Sequence, residues 1–469
     1  MANKLTKIIA TLSDKRSSID FIESLYQAGM DVVRANTAHQ TPEALKDLVF
    51  RVRRVSEKIP VMVDTKGPEI RTSADGEDIV VKQEDIIRVC GPGETITGKL
   101  CVNYPGIVQT LNSGNLIMID DGDIALKVID KNDGYLICEA LNSGTIFRRK
   151  SVNLPGIPID LPSLNMRDLE FIKLAIELDI EFIAHSFVRN KEDVMAIQEI
   201  LDGHNSRIKI IAKIENQQGV DNIEEILPHV YGVMIARGDL AIEIPAEKIP
   251  VIQRNIIDKC ISNRKAVIVA TQMLHSMISH PRPTRAEVTD IANAVFSGTD
   301  AIMLSGETAY GAYPLEAVRL MTRTAMVAEA STELNENRNI TPHDNLISGF
   351  LAKTAVRGVS RLGAKAVIAD TDTGKTACYI SAFRGTCPIY MQCYDPRVMR
   401  ELALIYGVYA DLINVETSKK EFIKHTLQRL LEKEAIHLED LVVVLAGNFG
   451  KKVGPSFVEV STANNLMMQ

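Results

Sequence analysis

Three charged residues carry the strongest chemical signal. In Ile210-Ile211-Ala212-Lys213-Ile214-Glu215 a lysine and a glutamate stand two residues apart within an apolar run. Side chains alternate along a strand, so Lys213 and Glu215 share one face while Ala212 and Ile214 share the other. Asp239 follows the next apolar run, in Arg237-Gly238-Asp239. Two carboxylates beside one lysine suit a divalent ion, Mg2+ or Mn2+, holding an anionic substrate. A salt bridge closing a barrel would account for Lys213 and Glu215 alone, but not for Asp239.

Further polar groups sit just past other apolar runs: Arg34-Ala35-Asn36, Asp64-Thr65-Lys66, Ser186-Phe187, Thr271-Gln272 and Ser305-Gly306-Glu307. Gly238 lets backbone approach a ligand, and a short helix from Asp239 would present free N–H groups to a carboxylate or phosphate. Thr271 adds a hydroxyl nearby, or caps the next helix. Arg34 beside Asn36, Asp64 and Thr65 suggests a phosphate contact next to a cation site. Each could be structural if taken singly; their joint placement at adjacent strand ends favours function.

The elements that must position these groups are legible. Lys7–Thr11, Asp31–Val33 and Val61–Asp64 read as strands, with helices over Ile19–Ala28 and Pro42–Val55. From Thr72 to Asn153 helical spacing gives way to short β runs between Asn/Asp-Gly turns, which predicts an inserted all-β meander or small barrel. Leu154–Pro162 reads as the return linker. Five more strands follow at Phe182–Ser186, Ile208–Ile214, Gly232–Ala236, Ala266–Ala270 and Ala301–Leu304. Eight strand–helix units close into an α/β fold, the (β/α)8 barrel, whose chemistry sits at the carboxyl ends of the strands. The division is 1–71 and 154–338 for the barrel, 72–153 for a β lid and 339–469 for a C-terminal α/β domain. In the last, strands are expected at Ala366–Ala369, Pro388–Met391 and Leu441–Leu445.

That tail holds Thr371-Asp372-Thr373-Gly374-Lys375-Thr376. A nucleotide P-loop would need glycine at position 369, where Ala369 stands. What survives is a hydroxyl-rich turn opening a helix, suited to an effector's phosphate, or an ordinary capped turn. A net charge of -7 argues against nucleic acid as the main partner. There is no apolar run of membrane-spanning length and no leader-like start, so neither membrane nor export is expected. Seven cysteines without a C-x-x-C pair point to thiols in a reducing cytoplasm.

The chain resembles the pyruvate kinases, through Val63–Thr72 (VDTKGPEIRT), Ile211–Asn216 (IAKIEN), Met234–Leu240 (MIARGDL), Ala270–Met273 (ATQM), Pro281–Glu287 (PRPTRAE) and Ile302–Thr308 (IMLSGET). The resemblance implies phosphoryl transfer from phosphoenolpyruvate to ADP, giving pyruvate and ATP, in a homotetramer. It implies that Lys213 steadies the phosphoryl group and that Glu215 and Asp239 hold Mg2+. Gly238, Asp239 and Thr271 would anchor the carboxylate, with Thr271 helping to protonate the enolate through water. Arg34 would meet phosphate, Asn36, Asp64 and Thr65 would line a K+ site, and Asn36, His39, Arg71 and Lys150 would contact the nucleotide. Thr371, Thr373, Gly374, Lys375 and Thr376, with Lys451 and Lys452, would meet an effector such as a sugar phosphate or AMP.

Two departures stand out. Ala38 removes a hydroxyl expected among the K+ ligands, whereas Glu69 is typical of K+-dependent members. Thr11-Leu12-Ser13-Asp14 replaces Thr-Ile-Gly-Pro near the nucleotide. Two rivals are a metal-dependent enolate lyase or aldolase and a catalytically silent regulatory homologue. The lyase would need neither lid nor effector domain, and a silent homologue would have lost Lys213 or a metal carboxylate.

Overall fold

The structure, a computed structural model, describes residues 4–74, 77–93, 99–331, 340, 345–413, 419–447 and 454–468. Eight parallel strands form a closed barrel: Lys7–Leu12, Val32–Asn36, Val61–Asp64, Phe182–His185, Lys209–Ile214, Gly232–Ala236, Ala266–Ala270 and Ala301–Leu304. Each pairs with its neighbours in chain order, and the last pairs with the first through Lys7↔Ala301.

Local signals set the helices between them. Ser18 caps the helix Ile19–Ala28, accepting from Phe21 N, and Gly29 closes it in the left-handed region. Thr41 caps Pro42–Val55, with the proline in the first turn, where its missing N–H costs nothing. Strand parity then splits the core. Ile210, Ala212 and Ile214 pack outward with the helices, whereas Ile211 joins Phe182 and Met234 inside the barrel. That inner cluster runs on without a break into the tail's Val367, Leu402 and Val443.

The insert differs from a closed barrel. Its described residues form a seven-stranded sheet and a two-stranded ribbon, Ile79–Val81 with Gly144–Ile146. Sheet pairing starts at Ile70–Arg71, ahead of Thr72, and one helical turn, Ile107–Thr110, interrupts the strands. Its own apolar core surrounds Ile117, Leu126 and Leu136.

The tail sheet has five strands rather than three. Ala366–Thr371, Ile389–Cys393 and Leu441–Gly447 are joined by Val408–Leu412 at one edge and antiparallel Pro455–Thr462 at the other. Barrel and tail are tied by buried ion pairs: Arg400 to Glu181 at 2.5 Å and Arg384 to Asp300 at 2.6 Å. Among the described residues, no helix is long and apolar enough to cross a membrane.

Candidate active site

Strand 2 extends to Asn36 rather than ending at Val33, so Arg34 and Asn36 are strand residues, in register with Met62 and Asp64. The strand ends then bring the predicted groups together. Lys213 Nζ stands 3.0 Å from Glu215 Oε1 and 3.1 Å from Asp64 Oδ1, and it donates to Ser186 Oγ at 2.7 Å. Burial alone would discharge the lysine, but Asp64 and Glu215 outweigh it and hold the ammonium well above the usual lysine range. Asp64 is 1% exposed, and Arg34 Nε donates to its Oδ2 at 2.6 Å. Burial would raise the Asp64 pKa, yet Arg34 and Lys213 carry it below the ordinary carboxylate value. Arg34 also donates to Thr11 Oγ1 at 2.9 Å, which fixes its guanidinium in the mouth.

Asp239 is the third residue of the helix Arg237–Glu243, which starts two residues earlier than expected. Its carboxyl is hydrogen-bonded to Glu215, and burial together with the Glu215 charge pushes it up to about 7. A carboxyl raised in this way beside the Glu215 carboxylate marks a site short of positive charge, which a divalent cation would supply. Among the described residues no group of three or more His, Cys, Asp or Glu could hold a metal ion. Two carboxylates nevertheless fit Mg2+, which usually keeps water and substrate oxygens in its other positions.

Thr271 does not cap a helix; the next helical turn, His275–Ile278, has Leu274 before it and no side-chain cap. Thr271 and Gln272 both adopt left-handed backbone, φ 69° and 55°. This costs energy in a β-branched residue and is held by neighbours. Gly238 N donates to Thr271 Oγ1 at 2.8 Å, and that hydroxyl donates to Ala270 O at 2.6 Å. Arg237 brackets the turn, donating to Thr271 O at 2.7 Å while paired with Asp290 at 2.7 Å. A Cβ on Gly238 would make only an ordinary 3.5 Å contact with Thr271, so packing does not demand glycine there.

On the opposite side, Asn36 Oδ1 accepts from Ala38 N at 3.0 Å, and Thr65 Oγ1 accepts from Ser186 N at 3.0 Å. These oxygens gather near Asp64, whose charge Arg34 and Lys213 already balance, so they fit K+ in part. His39 donates its backbone N–H to Asn36 O. Arg71 and Lys150 stand at the base of the insert, where Thr72 N donates to Lys150 O at 2.9 Å. Arg71 pairs with Glu69 at 2.5 Å and Lys150 with Asp120 at 2.7 Å. Ser13 Oγ donates to Ala309 O, tying the altered Thr11–Asp14 loop to the eighth strand's loop.

The tail's turn lies far from this mouth. Thr371 Oγ1 accepts from Gly374 N at 2.9 Å, and Gly374, at φ 83°, opens the helix Lys375–Ala382. Thr371, Thr373, Gly374, Lys375 and Thr376 line a cavity of about 1080 Å³, which Arg207 and Arg264 border from the barrel side. Lys451 and Lys452 lie outside the described residues.

Ser186 and Glu307, already marked as polar groups past strand ends, are joined as supporting residues by Asp168 and Arg167, which sequence reasoning missed. Ser186 bonds Lys213, Asp64 and Thr65 together. Asp168, fully buried, accepts from Lys66 N at 2.8 Å and Gly67 N at 3.2 Å. Arg167 donates to Thr37 O and Gln40 O. Glu307 joins Leu274 N to Ser305 N. Apart from the bond between Ser305 N and Glu307, these contacts join residues distant in the chain, so spacing alone does not signal them.

Residues 3–318 match the family described as pyruvate kinase, barrel domain, and 350–460 match pyruvate kinase, alpha/beta domain. The chain belongs to the pyruvate kinase family. It is 43% identical over 470 residues to a pyruvate kinase of Borreliella burgdorferi, covering 99% of this chain and 98% of that one. A pyruvate kinase of Clostridium perfringens is 38% identical, covering 94% and 96%. The crystal structure of a pyruvate kinase from Cryptosporidium parvum superimposes with a TM-score of 0.92 at 33% identity, covering 98% and 96%. Membership makes this chain a phosphotransferase of glycolysis, with the barrel and α/β tail of pyruvate kinases.

Proposed function

We propose that the chain transfers the phosphoryl group of phosphoenolpyruvate to ADP, with Lys213 as the central catalytic group. The observation that carries this reading is the placement of Lys213 between Asp64 and Glu215. Its ammonium stays charged in a nearly dry mouth, where it counters the charge spread over a phosphoryl group in transit. Arg34 is held in the same mouth and contacts substrate phosphate. Glu215 and Asp239 would hold Mg2+ (or Mn2+), which supplies charge to substrate oxygens. Gly238, Asp239 and the Thr271 hydroxyl anchor the substrate carboxylate, and Thr271 passes a proton to the enolate through water.

Asn36, His39, Arg71 and Lys150 contact the nucleotide, with Arg71 and Lys150 released from Glu69 and Asp120 when its phosphates arrive. Asn36, Asp64 and Thr65 line a K+ site that lacks the hydroxyl a serine at position 38 would add. The turn Thr371–Thr376 takes a phosphorylated effector, a sugar phosphate or AMP. The insert spanning 72–153 closes over the mouth, the tail begins near 339, and the enzyme works as a cytoplasmic homotetramer. The test is pyruvate formation from phosphoenolpyruvate and ADP with Mg2+, with K+ varied in wild type and Ala38→Ser. Activity that rises with K+, at lower K+ in Ala38→Ser, supports the reading; no pyruvate from folded protein with candidate effectors present overturns it.

A further inference from the structure

The turn between strand 2 and its helix, residues 37–40, is held from two sides. Inside, Thr37 N and Thr37 Oγ1 donate to Asp64 O at 3.0 and 2.9 Å, and Gln40 Nε2 donates to Leu12 O at 2.9 Å. Outside, a single arginine takes two of the turn's carbonyls. Arg167 Nε donates to Thr37 O at 2.9 Å and Arg167 Nη2 to Gln40 O at 2.5 Å. Among the described residues no other donor serves either carbonyl. The guanidinium lies 5.2 Å from the centre of the buried Phe171 ring, so its contacts are carbonyls and a ring rather than a carboxylate.

Arg167 is itself rigidly placed. It stands in the first turn of the helix Met166–Glu177, where the cap Asn165 and the third residue Asp168 satisfy each other's backbone N–H groups. Both side chains also reach the strand-3 loop. Asp168 accepts from Lys66 N at 2.8 Å and Gly67 N at 3.2 Å, and Asn165 Nδ2 donates to Gly67 O at 3.1 Å. Gly67 is at φ 71°, and a Cβ there would lie 2.9 Å from both Phe187 and Ser186, so this loop is pressed against the end of the fourth strand. One helical turn thus locks the strand-2 turn to the strand-3 loop.

We propose that Arg167 is a positioning residue for ADP, its planar fork setting the turn that aims Asn36 and His39. The proposal rests on the reading of those two residues as nucleotide contacts. Asn36 Oδ1 accepts from Ala38 N at 3.0 Å and Asn36 O from His39 N at 3.2 Å, so both side chains take their direction from the turn. A guanidinium donates in two fixed directions and holds the two carbonyls at a set separation, whereas an ammonium is a point donor. Without the fork both carbonyls turn to water and the turn loosens. ADP must then order it on binding, which costs affinity. Gly238, Asp239 and Thr271, assigned to the phosphoenolpyruvate carboxylate, lie past strands 6 and 7 and bond one another's loops rather than this turn.

The full-length enzyme is compared as wild type, Arg167→Met, Arg167→Lys and His39→Ala, with thermal melts checking the fold. ADP affinity is measured by calorimetry with Mg2+ and without phosphoenolpyruvate, and KM for each substrate by steady-state kinetics. Arg167→Met should weaken ADP binding and raise KM for ADP by about tenfold, with KM for phosphoenolpyruvate unchanged; Arg167→Lys should do the same by a smaller factor. Both positions are exposed, and should Arg167→Met melt early, Arg167→Lys decides. Equal losses for both substrates, full recovery in Arg167→Lys, or ADP affinity that falls in His39→Ala but not in Arg167→Met would each overturn the positioning role alone. ADP affinity unchanged in all three variants would overturn the nucleotide reading of the turn, and the proposal with it.

Discussion

Lys213 lies on the fifth barrel strand and Glu215 directly past its end, with the ammonium 3.0 Å from the carboxylate Oε1. Glu215 Oε2 meanwhile accepts from Phe187 N at 2.7 Å, which fixes the carboxylate plane at the fourth strand's end. The pair is thus rigid before any ligand arrives, and rigidity of this kind lowers the cost of organising charge during reaction.

Burial and the Glu215 charge push the Asp239 carboxyl up to about 7, so a divalent metal binding there displaces its proton at lower pH. Mg2+ affinity should therefore strengthen from pH 6 to pH 8, with proton release measurable by calorimetry in two buffers of different ionisation enthalpy. Asp239→Asn should weaken Mg2+ by roughly 10–100-fold or more and remove much of the pH dependence. An affinity that is flat in pH in the wild type would contradict a raised Asp239 carboxyl.

Arg237 holds the strained Thr271–Gln272 turn through Thr271 O and Asp290. Arg237→Lys keeps the charge but loses the planar fork. Displacement of Thr271 should then lower kcat by about 10-fold or more, while KM for ADP stays unchanged. Steady-state kinetics at saturating phosphoenolpyruvate separates the two, and a change confined to KM for ADP would count against this role.

Lys7 is buried beneath the barrel, where its Nζ donates to Val408 O at 2.6 Å and lies 4.2 Å from the Tyr409 ring centre. Burial lowers its pKa to about 8, against an unfolded value near 10.5. Below pH 8 both states carry the proton and the fold bears a buried charge. Between pH 8 and 10.5 the unfolded chain binds more protons, so this group makes stability rise with pH. The full span is about 3 kcal/mol. Relative to Lys7→Met, wild-type stability from denaturant titrations should climb over that window; a constant difference would exclude this origin.

Much of the architecture was legible because its signals are local. Ser18, Gly29 and Thr41-Pro42 mark helix ends that match the structure residue for residue, and strand parity put Lys213 and Glu215 inside the barrel. What spacing missed depends on distant partners. Val408–Leu412 is a strand because it pairs with Ile389–Cys393 and its edge is half-exposed, so its alternation is weak. Asp168 acquires its role by contacts with Lys66 and Gly67, more than 100 residues away. The insert's open sheet followed from pairings that turn signals do not specify.

The most direct measurement is kcat for pyruvate formation from phosphoenolpyruvate and ADP in wild type and Lys213→Met, with Mg2+ saturating. The account predicts a loss of about 10²–10³-fold or more in kcat with folding intact by circular dichroism and substrate binding largely kept. A Lys213→Met enzyme that turns over at close to the wild-type rate would contradict it.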